Sequence, residues 1–257
     1  MMASLNEHRI DVMDILLLSN GKIAGNTHVM EFAGDAIVEQ VKRTGAKHFL
    51  VIPYAVIRSS HDDRVAMVQA TFDRLGIDCI ATGIHQAADP VKAIEEAEGI
   101  IVSGGNTWVL NKKLHDLGLV GPLRKAVLAK GIPYIGWSAG TNIGCPTIRT
   151  TNDMPIVTGA VLSSLNFVPF QINPHYLEAS VEGHMGETRD ERIQEFLEVN
   201  KHEPVVGIPE GTWLQLLDGK LSYHAANGKP LKLFQYGVEP VYFEEGQDIQ
   251  FMMEYSC

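Results

Sequence analysis

The sequence predicts an α/β fold in which a doubly wound, mostly parallel sheet is flanked by helices, with extra short strands in the C-terminal third. Three observations predict it. Short apolar runs alternate with stretches of helical period through the first half. Those runs are continuously apolar, as strands covered on both faces must be. From about Val205 the helical period gives way to short strands and turns.

Each element follows in order. Asp14-Ile15-Leu16-Leu17-Leu18 reads as a buried strand, closed by Ser19-Asn20-Gly21. A helical pattern runs from about Val29 to Lys42. His48 to Ile52 is the next strand, stopped by Pro53. Asp62 to Leu75 is amphipathic, with Val65, Val68, Phe72 and Leu75 on one face. Ile77 to Ala81 is a short strand. Asp89-Pro90 starts a helix with proline at its first position, running to Glu98. Gly99 to Val102 is a strand that enters Ser103-Gly104-Gly105-Asn106. Helical patterns span Thr107 to Leu117 and Leu123 to Lys130, and a strand spans Ile132 to Gly136.

Residues 145–175 read as loops with short strands, and Thr188 to Val199 as a charged amphipathic helix. The final strands are Val205 to Ile208, Trp213 to Leu217, Leu221 to His224, Leu231 to Phe234 and Gly237 to Phe243. Asp218-Gly219 is a hairpin turn between two of them. No linker, repeat or low-complexity segment divides the 257 residues, so a single domain is expected over 1–257, with 1–13 as an N-terminal extension.

The composition excludes several function classes. Hydrophobic residues are 45% and charged residues 20%, an ordinary globular balance. A net charge of −10 repels nucleic acid and anionic membranes, so neither is an expected partner. An acidic substrate would need a local cation. Cys79, Cys145 and Cys257 are widely spaced, which argues against a disulfide framework or structural zinc. No metal spacing such as H-E-x-x-H occurs, and no cofactor is expected. The polar N-terminus and the short first apolar run fit a cytoplasmic protein.

The feature that carries chemistry is Gly136-Trp137-Ser138-Ala139-Gly140, between a strand and a helix. A nucleophile on so tight a turn stands out above the sheet, and its neighbours must be small to permit the turn. The helix N-terminus beyond it favours developing negative charge. Gly104 and Gly105 end the preceding strand, at the edge where open parallel sheets bind ligands. With the N–H of Ala139 they would supply an oxyanion hole. Of ten histidines, His175 stands out in Gln171-Ile172-Asn173-Pro174-His175, after an apolar stretch; His184, His202 and His224 lie in polar contexts. The acid behind such a base is Asp153 or Glu210, and spacing does not choose between them.

These segments resemble the peptidase E family, serine peptidase family S51, whose fold is similar to class I glutamine amidotransferases. The resemblance rests on Leu16-Leu17-Leu18-Ser19-Asn20, Gly104-Gly105-Asn106-Thr107, Tyr134 to Gly140, the block Cys145 to Val157, Gln171 to His175, Gly186-Glu187-Thr188-Arg189 and Pro209-Glu210-Gly211. It implies hydrolysis of dipeptides with an N-terminal L-aspartate, with Ser138 as nucleophile and His175 as general base. It leaves the acid open between Asp153 and Glu210. A desolvated substrate carboxylate needs a cation; Arg149, in the long block, is the first choice and Arg189 the second. Expected partners are small Asp-Xaa dipeptides, and a monomer or homodimer is expected. A cyanophycinase-like β-aspartyl peptidase, an esterase and a non-catalytic amidotransferase-like binding protein are the rival readings.

Overall fold

The computed structural model describes residues 13–178 and 186–255. The N-terminal extension apart from Met13, His184 and Cys257 lie outside the described residues. The first half runs β1 (Asp14–Leu18), α1 (Gly34–Thr44), β2 (His48–Ile52), α2 (His61–Leu75), β3 (Ile80–Gly83), α3 (Pro90–Glu96), β4 (Gly99–Val102), α4 (Thr107–Asp116), α5 (Val120–Arg124), β5 (Tyr134–Trp137) and the short α6 (Ala139–Asn142). Then come β6 (Gln171–Tyr176), α7 (Arg189–Val199), β7 (Val205–Pro209), β8 (Thr212–Leu217), β9 (Lys220–Ala225), β10 (Leu231–Gln235) and β11 (Val238–Phe243).

The large sheet has the order β3-β2-β4-β5-β1-β8-β9. Its first five strands pair in parallel, as the apolar runs predict, and β8 and β9 add antiparallel at the β1 side. In β1, Leu16 and Leu18 pack with Ile37 of α1 and Val68 and Phe72 of α2. Ile15 and Leu17 face the other way, towards Ile94 of α3, Leu110 of α4 and Leu123 of α5. All four are at most 1% exposed. Each such burial contributes about 1.5–3 kcal/mol relative to exposure, so β1 ties both helical layers together.

A second sheet, in the order β11-β10-β7-β6, was not separable from the first by pattern alone. Within it β6 and β7 pair in parallel, and the register shifts between Pro174 and Tyr176. His175 sits at that irregularity with φ 54°. Proline has no N–H for the ladder, and a bulge re-aims the side chain at its apex. His175 thus sits at a kink one residue before the end of β6.

Several boundaries also differ: α1 begins at Gly34, not Val29, after a 3-10 turn over Glu31–Ala33, and β5 begins at Tyr134, not Ile132. Strand β3 begins at Ile80, not Ile77, where pairing with β2 starts; Gly76 caps α2 in the left-handed region, and Ile77 N–H folds back on Phe72. The helix expected over Leu123–Lys130 is an α-helical turn, α5, continued by a π turn over Lys125–Ala129. The Asp218-Gly219 turn holds as expected, with both residues at positive φ.

One buried charge braces the start of β1. Asp14 is fully buried and accepts from Arg43 Nε at 3.1 Å, Arg43 Nη2 at 2.8 Å and Gln40 Nε2 at 3.1 Å. Removing one partner of such a pair strands the other charge. Arg43→Met is expected to lower unfolding stability by about 3 kcal/mol in urea denaturation. The double variant Arg43→Met/Asp14→Leu should recover part of that loss.

Candidate active site

The site lies where the C-terminal ends of β5 and β1 meet the second sheet. Ser138 follows β5 with φ 53° and ψ −109°, a backbone that L residues rarely adopt. The flanking glycines allow it. A Cβ on Gly136 would stand 2.5 Å from the carbonyl oxygen of Gly140, and one on Gly140 would stand 2.2 Å from that of Val102. Ser138 N–H donates to Leu18 O at 3.1 Å, and Thr141 Oγ1 donates to the same oxygen at 2.6 Å. The turn is thus pinned to the end of β1.

Ser138 Oγ lies 3.0 Å from His175 Nε2, and His175 Nδ1 lies 2.7 Å from Glu210 Oε1. Glu210 follows β7, in a turn made by Gly211 at φ 84°. An ionised carboxylate only accepts. Nδ1 therefore carries the proton towards Glu210, and Nε2 keeps its lone pair towards the serine. His175 and Glu210 are 39% and 57% exposed at their side chains, so this relay is set by its framework more than by burial.

That framework comes from Ser19 and Asn20, at the end of β1. Ser19 Oγ accepts from His175 N–H at 2.9 Å and donates to Ile208 O at 2.8 Å. Asn20 Oδ1 accepts from Gly211 N–H at 2.9 Å. Sequence reading gave these residues no role. A Ser-Asn pair at a strand end reads as a turn, and its partners lie more than 150 positions away.

Asp153 is elsewhere. Its Oδ2 accepts from Thr107 N–H at 2.8 Å, Thr107 Oγ1 at 2.7 Å and Thr151 Oγ1 at 3.1 Å. It braces the start of α4, and His175 has Glu210 in the position an orienting acid would take. Among the described residues, the N–H groups of Gly105 and Ala139 have no acceptor in the protein. Gly105 has φ 148°, and a Cβ there would stand 2.1 Å from Ala55 O. A Cβ on Gly104 would stand 3.1 Å from Ser138 Cβ. Helix α6 is only four residues long, so individual N–H groups rather than a long helix dipole face the serine.

The two arginines differ sharply. Arg149 Nη2 lies 2.5 Å from both oxygens of Glu203, its Nη1 contacts Asn200 Oδ1, and its guanidinium covers the Phe196 ring at 5.3 Å. The first-choice cation is therefore already occupied. Arg189, the first residue of α7, has no carboxylate within ion-pair distance among the described residues and contacts Asn152 Oδ1. Burial, then Arg192, pushes its pKa down, and Asp153 acts against them. Both arginines, Asn152, Asp153 and Asn173 line a cavity of about 300 Å³. That cavity reaches β6 two residues before His175.

A further network joins the residues that follow His175 and Arg189. Tyr176 Oη donates to Asp190 Oδ1 at 2.5 Å, and Lys232 Nζ donates to Asp190 Oδ2 at 2.7 Å and Glu178 Oε1 at 3.0 Å. Lys232 is buried, yet these acceptors, with the Tyr242 and Tyr176 hydroxyls, outweigh desolvation and hold its pKa well above the usual lysine value. The network docks α7 on the second sheet. Its one sequence signal is a lysine inside the apolar run Leu231-Lys232-Leu233-Phe234.

A serine, a histidine and a carboxylate in one hydrogen-bonded line at the end of a parallel sheet, beside free N–H donors, form the constellation of a serine hydrolase. The comparisons with known proteins agree. The model of peptidase family S51 matches residues 15–223. Peptidase E from Escherichia coli O6:K15:H31 (strain 536 / UPEC) is 44% identical over 91% of this chain and 99% of its own, as is Peptidase E from Escherichia coli strain K12 / DH10B. Solved structures share the fold: a peptidase from an acI-B1 actinobacterium, 16% identical, has a TM-score of 0.62 over 93% of this chain and 96% of its own. A protein from Listeria monocytogenes EGD-e, 20% identical, has a TM-score of 0.61 over 83% and 98%. The chain belongs to peptidase family S51 and is a hydrolase. No helix among the described residues is long and apolar enough to cross a membrane.

The hydrogen-bond geometry separates the two carboxylates experimentally. Glu210→Gln is expected to lower kcat by about 10²–10⁴-fold, the lower figure reflecting access of water to this acid. Asp153→Asn should keep kcat within about tenfold and instead lower unfolding stability, by about 1–3 kcal/mol, through its lost bonds at the start of α4. Steady-state kinetics and denaturant melts on both variants check this.

Proposed function

We propose that this S51 peptidase hydrolyses dipeptides that begin with L-aspartate, with Ser138 as nucleophile, His175 as general base and Glu210 as the acid that orients it. The observation that carries the reading is the unbroken line Glu210–His175–Ser138. The E. coli relatives bear the name Peptidase E, and their match over nearly the whole chain supports the same activity here.

Ser138 Oγ attacks the aspartyl carbonyl carbon as its proton passes to His175 Nε2. Glu210 stabilises the imidazolium by accepting from Nδ1. The carbonyl oxygen becomes an oxyanion between the N–H groups of Gly105 and Ala139, and Gly104 leaves room for its approach. Collapse breaks the C–N bond, and His175 gives its proton to the leaving amine. Water then attacks the acyl-serine, with His175 again as base, and releases aspartate. Every proton in the sequence moves through His175, so no metal or organic cofactor has a step to perform.

Arg189 receives the aspartate side chain in this reading. Among the described residues it is the cavity-lining arginine without a carboxylate partner, and a guanidinium held partly out of water with no counter-charge favours an anion. Arg149 braces the cavity wall through Glu203. The small cavity suits a short acidic side chain, and the protein's net charge of −10 makes such a local cation necessary.

Ser138→Ala is expected to abolish turnover of Asp-Leu while leaving the melting temperature near wild type. Arg189→Met should raise KM for Asp-Leu by about 30-fold or more, equivalent to about 2 kcal/mol of lost pairing. Arg149→Met should chiefly destabilise the protein. A panel of Asp-Leu, Asn-Leu, Glu-Leu and β-Asp-Arg tests the substrate class: strong preference for Asp-Leu supports the reading, and preference for β-Asp-Arg overturns it.

A further inference from the structure

A second arginine for which the described residues offer no carboxylate lies on the opposite face of the large sheet. Arg64 stands in the first turn of α2, one turn before Val68 and two before Phe72, both of which point into the core. Helix α2 follows β2 and runs back along the sheet, so its first turn lies at the C-terminal ends of the strands, as Ser138 does. The Arg64 guanidinium lies 5.7 Å from the ring centre of Trp137, the residue before the nucleophile. The Nε1 edge of that indole lies against the backbone on both sides of the site: a Cβ on Gly21 or on Gly104 would stand 2.8 Å from it. Arg64 thus covers the indole of the residue that precedes Ser138 in the chain.

Its electrostatic situation is unusual in so acidic a protein. Arg64 Nε is buried with no hydrogen-bond partner, and among the described residues no carboxylate lies within ion-pair distance of the guanidinium. The acidic side chains beside it in sequence are engaged elsewhere. Asp62 bonds His85 and Gln86, and Asp63 closes the capping box with Ser60. Burial alone pushes the Arg64 pKa down. A guanidinium partly stripped of water and given no anion is a net cost to the fold. That cost is recovered when a ligand brings the anion.

An Asp-Xaa dipeptide carries two carboxylates, one on each side of the scissile bond. Arg189 lies on the side of the sheet that holds α4, beside Asp153 and Thr107, and Arg64 lies on the side that holds α2. We propose that Arg64 receives the C-terminal carboxylate of the dipeptide, so that two unpaired arginines on opposite faces of the sheet hold the substrate across Ser138. The assignment rests on the reading of the site as cleaving Asp-Xaa. It makes Arg64 the residue that measures substrate length, because a longer peptide carries its carboxylate beyond reach.

The test compares Asp-Leu with Asp-Leu amide, which has the same scissile bond and no terminal carboxylate. Wild type is expected to favour Asp-Leu by about 30-fold in kcat/KM, about the worth of one desolvated charge pair. Arg64→Met should lower kcat/KM for Asp-Leu by about that factor, chiefly through KM, and leave the amide within about threefold of its wild-type value. Arg64→Lys should restore part of the Asp-Leu rate. The melting temperature of Arg64→Met should not fall, since the variant removes an unpaired charge and keeps an apolar side chain on Trp137. Equal losses on both substrates, or no loss on Asp-Leu, overturn the assignment. Failure of wild type to cleave either peptide overturns the aspartyl-dipeptide reading beneath it, a result distinct from the other two.

Discussion

The Ser19 hydroxyl is the constraint on which the site depends. The serine of the hydrogen-bonded line belongs to the large sheet, and its histidine and glutamate belong to the small one. Ser19 is fully buried, and it holds the N–H of His175 and the carbonyl of Ile208 at once. The hydroxyl thus supplies one donor and one acceptor to two strands of the other sheet. The neighbouring Leu18 carbonyl accepts from both Ser138 and Thr141, and Asn20 takes the N–H of Gly211. Three consecutive residues at the end of β1 therefore position all three members of the line.

Charge is distributed by partner as well as by number. Two basic groups close to the site are already satisfied, Arg149 by Glu203 and Lys232 by Asp190 and Glu178, as is Arg43 by Asp14 at the far end of β1. Those pairs hold structure. Arg64 and Arg189 are two partly buried arginines for which the described residues offer no carboxylate, and desolvation weakens the hold of both on their protons. A net charge of −10 would repel an acidic substrate at long range. At close range, on the proposed reading, these two guanidinium groups receive its anions.

Much of this was legible in the sequence. Strands β1, β2 and β4 fall where their apolar runs predict, because burial on both faces leaves no ambiguity of period. The serine turn was readable because its glycines answer a local steric demand. What escaped was long-range pairing. Arg149 looked available because Glu203, its partner, lies 54 positions later. Asp153 and Glu210 could not be ranked, because the choice depends on how β6 and β7 lie against β5. The kink at His175 was signalled only by Pro174, and the pattern did not divide the late strands between two sheets.

The separation of the hydrogen-bonded line between two sheets also bears on how the protein comes into being. Ser138 is complete on a segment that folds into the large sheet, and its histidine and glutamate arrive later in the chain. Until the small sheet docks against the end of β1, the serine lacks its histidine partner, and the histidine lacks the Ser19 bond that fixes its backbone. On the proposed mechanism, a half-made or half-folded chain has no assembled line with which to cut peptides. On the proposed mechanism, the docking of the two sheets is what completes the site.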